Sequence, residues 1–108
     1  MHDVLAINTG FEVEYGRHAA RIKELTPVGQ ELIVDGHSIF VFIFSSIEAR
    51  QTATEALNLA EAELVGPSGS PVTSEPLSLA EGSNVAVIFV GGDAEWAKAI
   101  KLAISELP

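Results

Sequence analysis

The chain has 108 residues, and 15 aspartates and glutamates against 6 lysines and arginines give it a formal charge of −9. That length predicts one domain burying roughly 60–70% of the surface its unfolded chain exposes, and the charge repels phosphate backbones and anionic headgroups, which argues against nucleic-acid and membrane-surface binding. Cysteine is absent, which rules out a disulfide framework, a thiolate nucleophile and a cysteine-type zinc site.

The apolar run at residues 39–44 falls far short of the ~20 residues of a membrane-spanning helix. Met1-His2-Asp3-Val4 lacks the basic start and long apolar core of a signal peptide. A soluble chain is expected, either cytoplasmic or the leaderless mature part of an exported protein.

In chain order, Val4-Leu5-Ala6-Ile7 is a short apolar segment, readable as a strand or as one helical turn. Phe11-Glu12-Val13-Glu14-Tyr15 alternates apolar and acidic residues, which predicts a half-exposed strand that Gly16 ends. Ala19, Ile22 and Leu25 recur at spacing three, a weak helical signal stopped by Thr26-Pro27. Asp35-Gly36 lies between two β-rich runs and predicts a type I′ hairpin pairing residues 31–34 with 37–44. Ser45 followed by Glu48 reads as a capping box opening a helix over about 46–65, with an alanine-rich stripe and a stop at Gly66-Pro67. Residues 66–76 hold three prolines, two glycines and three serines, so a flexible loop is expected. Leu77-Ser78-Leu79 predicts a short edge strand before a turn at residues 81–84, and residues 85–90 a strand with no polar face. Trp96, Ala97, Ile100, Ala103, Ile104 and Leu107 form one stripe of a final helix over 94–107. The expected fold class is α+β: a small, mainly antiparallel sheet with both helices on one side, a two-layer sandwich.

Residues 39–44 raise a packing problem. Phe40, Phe42 and Phe44 point one way and Ile39, Val41 and Ile43 the other, so one helix layer leaves a face bare at about 1.5–3 kcal/mol for each large side chain. Other parts of the chain can cover that face. A second copy can do so in a sheet-to-sheet homodimer, or the face can remain an apolar ligand groove. Phe40, Phe42 and Phe44 are therefore the candidate interface or pocket residues.

Arg17, Arg21 and Lys23 are half of all basic residues, gathered within seven positions. They are candidate contacts for an anion or a partner, or else partners for Glu12, Glu14 and Glu24. Gly91-Gly92-Asp93 matches no phosphate-loop spacing, and a tight turn with an aspartate cap is the reading taken. His2, His18 and His37 have no metal-ligand spacing, and the serines have no recognisable His and Asp framework. No catalytic, cofactor-binding or metal residue is assigned.

Residues 34–49, VDGHSIFVFIFSSIEA, resemble the VxGxxIxVFxYxSxEEA pattern of small uncharacterised bacterial envelope proteins, often lipoproteins. Residues 82–93, GSNVAVIFVGGD, are similar to the end of the same proteins. The resemblance covers about a third of the chain and implies a compact α+β domain outside the bacterial cytoplasm. The chain departs from the group in having no lipid-attachment cysteine and no leader. The function expected is a non-enzymatic binding or protein-interaction module, with homodimerisation through the sheet as one form of it. The alternative is a ferredoxin-like small-molecule-binding or enzyme domain that uses the apolar sheet face as a pocket.

Overall fold

Asp35 and Gly36 sit at φ values of 52° and 80°, the left-handed region that both central positions of a type I′ turn require. They join β2 (Gly29–Val34) to β3 (His37–Ile43) as antiparallel neighbours. The computed structural model describes residues 10–23, 25–66, 69–72, 77–90 and 94–107. In it β1 (Val13–Ala20) pairs with β2, β5 (Val85–Phe89) pairs with β3, and β4 (Ser78–Gly82) pairs with β5. The sheet order is β1-β2-β3-β5-β4, antiparallel throughout.

Side-chain alternation sorts the two central strands onto two dry faces. Ile39, Val41, Val85, Val87 and Phe89 share one, covered by Trp96, Ile100, Ala103 and Ile104 of the C-terminal helix α2 (Ala94–Ser105). Phe40, Phe42, Phe44, Ala86 and Ile88 share the other. Ala49 and Ala53 of α1 (Ile47–Ala56) pack there, together with Ile22, Leu25, Leu64 and Leu77. The α+β class, the antiparallel sheet and the hairpin are those the sequence predicts. The layering is thicker than the two-layer sandwich expected, because the helices lie on opposite faces. Strands with no polar side are satisfied only when both sides are covered, and a helix of small residues can approach a phenylalanine-rich face closely.

Several local expectations are corrected. Residues 17–23 are not helical: β1 runs through Gly16 to Ala20, and Arg21 exchanges both backbone hydrogen bonds with Val65 at 2.8 Å. Pairing with β2 outweighs a weak helical spacing, and the buried residues Ala20 and Ile22 follow period two. The N-cap of α1 is Ser46, not Ser45, and its hydroxyl accepts from the Ala49 amide at 3.0 Å. The helix also ends early, at Ala56 rather than near residue 65. Asn58 folds back on itself there, its side-chain oxygen taking the Ala60 amide at 3.1 Å, the local competition that makes asparagine a helix breaker. The edge strand is longer than residues 77–79, and only Ser83 and Asn84 remain in the turn. Val4-Leu5-Ala6-Ile7 and Gly91-Gly92-Asp93 lie outside the described residues, as do parts of the 66–76 loop.

Candidate functional site

The most distinctive polar arrangement lies at a fault in the sheet. Tyr15 pairs with Leu32 and Ala19 with Gln30, so Gly16, Arg17 and His18 together oppose one residue of β2, Glu31. Extra residues in an edge strand lose their ladder partners and bend the strand. The Glu31 carboxylate fills the gap. Oε1 accepts the Arg17 amide at 3.2 Å, and His18 Nδ1 lies 3.0 Å from the same oxygen, donating in the Nδ1–H tautomer. Oε2 accepts the Ser38 hydroxyl at 2.7 Å from the neighbouring strand. Gly16 is required here, because a Cβ at that position would collide with the Glu31 side chain.

Glu31 is only 7% exposed. Burial pushes its carboxyl up, but hydrogen bonds from Ser38 and His18 outweigh that and hold the pKa below the ordinary 4.5. The carboxylate is thus kept ionised by the groups that surround it. Glu31 and Ser38 also form the polar wall of a pocket of about 260 Å³ whose apolar lining includes Phe40, Leu64 and Val72.

The second buried ionisable group is Arg50 on α1. Its Nε donates to the Ser83 carbonyl at 2.8 Å, and a terminal nitrogen lies 3.4 Å from Glu81 Oε1. It ties α1 to the β4–β5 turn. Asn84 adds a second tie, its side-chain amide donating to the Phe44 carbonyl at 2.8 Å.

The residues singled out in the sequence fall in two places. Phe40, Phe42 and Phe44 are core residues at 5%, 0% and 6% exposure. Phe40 and Phe44 nevertheless each line a surface pocket. Arg17, Arg21 and Lys23 are exposed, on β1 and just beyond it. Among the described residues none of the three makes an ion pair with a carboxylate. Arg21 borders a pocket of about 300 Å³ that is otherwise lined by Ala19, Ala20, Val28, Val65 and two glycines. His18 belongs to the Glu31 cluster, whereas the ring of His37 lies tilted against that of Trp96, with centroids 4.9 Å apart. Among the described residues no three metal-ligating side chains converge, and no helix is long and apolar enough to cross a membrane.

Sequence reasoning missed Glu31, Ser38 and Arg50. The one available signal was an acidic residue inside a β-rich run, and it gains meaning only once Gly16 is seen to lie beside it. No family model matches the chain, and no curated protein or solved structure matches it.

Proposed function

We propose that the chain is a non-enzymatic binding module that takes a partner bearing a carboxylate beside an apolar group at the open end of β1. The observation that carries this reading is Arg21 at the wall of an otherwise apolar pocket of about 300 Å³, with Arg17 and Lys23 exposed four and two residues away along the chain. Among the described residues these three cations have no carboxylate partner, so on a chain of charge −9 they form a local reversal of sign, and a guanidinium pairs well with a carboxylate. The buried cation supports the same reading, since Arg50 is spent on a helix-to-turn tie. Homodimerisation through a sheet face would need side chains that the chain's own helices already cover, so the partner is placed at the strand end.

The test is calorimetric titration with hexanoate and with hexanol. Hexanoate should bind saturably and more tightly than hexanol, and R17A/R21A should weaken hexanoate about tenfold, the loss of one good charged contact. Equal binding to the wild type and the double variant would contradict the reading.

A second reading, a small-molecule site on the phenylalanine face, is supported by the pocket that Phe40 lines beside Glu31. The described element order, βββαββα, differs from the βαββαβ order of a ferredoxin-like domain. That site therefore belongs to a different architecture.

A further inference from the structure

We infer that the pocket beside Glu31 binds a primary ammonium group on a short alkyl chain. This rests on the second reading above and adds to it the chemistry of the ligand. The pocket, about 260 Å³, combines one carboxylate with the apolar walls of Phe40, Leu64 and Val72. The Glu31 side chain is 9% exposed, so its charge is poorly screened by water. The Arg17 amide, the backbone and Nδ1 of His18, and Ser38 Oγ all hydrogen-bond to the carboxylate. Among the described residues no arginine or lysine pairs with it. A buried negative charge with no arginine or lysine beside it is complementary to an N⁺–H donor.

The rest of the ligand follows from the walls. An alkyl chain gains by leaving water against Phe40, Leu64 and Val72, and the ammonium gains an attraction stronger than it has in bulk water. A carboxylate ligand is repelled here, and a neutral alcohol collects only the apolar part. The volume lies just under the usual range for ligand cavities, which favours a short chain. A free alkylamine and a lysine side chain share this chemistry.

The experiment titrates the full chain at neutral pH with n-butylammonium, n-butanol, butyrate and Nα-acetyl-lysine methylamide. Amide shifts at Ser38, Phe40 and Val72 are followed by NMR. At least one ammonium probe should saturate about tenfold more tightly than butanol, with butyrate failing to bind, and the tighter of the two ammonium probes identifies the source. E31Q should bring ammonium binding down to the butanol level. V72W, on a rim that is 47% exposed, should abolish binding of every probe while circular dichroism shows the fold intact. If E31Q does not fold, V72W and the butanol arm still decide. Equal affinity for butanol and the ammonium probes would overturn the inference while sparing the pocket. Saturation by no probe would overturn both.

Discussion

The indole nitrogen of Trp96 donates to the carbonyl of Val34 at 3.1 Å, joining residues 62 positions apart in sequence. This bond ties the C-terminal helix to the hairpin immediately before its Asp-Gly turn. The Trp96 ring also meets Phe89 edge-on at 5.3 Å, so one side chain fastens α2 to both β2 and β5. W96F keeps an aromatic ring and removes the donor. It should cost about 0.5–1.5 kcal/mol, the net worth of one hydrogen bond. Urea unfolding followed by circular dichroism checks this, with the midpoint falling and the slope unchanged. An unchanged midpoint would mean the bond contributes nothing net.

Gly16 and Glu31 should behave as one unit. A Cβ at position 16 meets the Glu31 side chain, so G16A forces the carboxylate off its donors. Overpacking of this kind costs about 1–3 kcal/mol. The collision disappears in G16A/E31A, so the double variant should lose less than the sum of the single losses. Additivity within about 0.3–0.5 kcal/mol, as for distant sites, would contradict the packing described here.

Arg50 predicts a third outcome. R50A leaves the Ser83 carbonyl without its buried donor and should cost about 1–3 kcal/mol. For a domain of this size each kcal/mol lowers the thermal midpoint by about 4–8 °C. R50K should recover only part of the loss, because an ammonium lacks the fork that reaches Ser83 and Glu81 together. Full recovery in R50K would show that charge alone is at work.

The hairpin was legible because its signal is local: Asp-Gly has few alternatives between two β-rich runs. Residues 39–44 and 85–89 were legible as a dry sheet centre because continuous apolar runs need cover on both sides. What covered the second side was not, since that depends on where α1 lands after the chain turns at residues 44–46. The segment from residue 17 misled because Ala19, Ile22 and Leu25 fit a helix, while the pairing that overrode it comes from β2 and, at Arg21, from Val65 more than forty residues away. Glu31 was invisible for a similar reason. Its donors come from β1 and β3, and only the register of the sheet brings them together.

The acid side of the stability profile follows from Glu31. Its folded pKa lies below the ordinary value, so its contribution is complete above pH 4.5 and is lost as pH falls through the lower folded value. Wild-type stability should therefore decline below pH 4.5, and E31Q should flatten that decline without changing the slope near neutrality.

The most direct measurement is the titration of the Glu31 side-chain carboxyl by carbon NMR. A general acid or base working near neutral pH needs a carboxyl raised toward 7, whereas a carboxylate that closes an irregular strand should stay ionised to lower pH. The account predicts a midpoint below 4.5 in the wild type, shifting upward in S38A as a donor is lost. A wild-type midpoint raised toward neutrality would contradict it, and would turn Glu31 from a fastening of the fold into a candidate proton carrier.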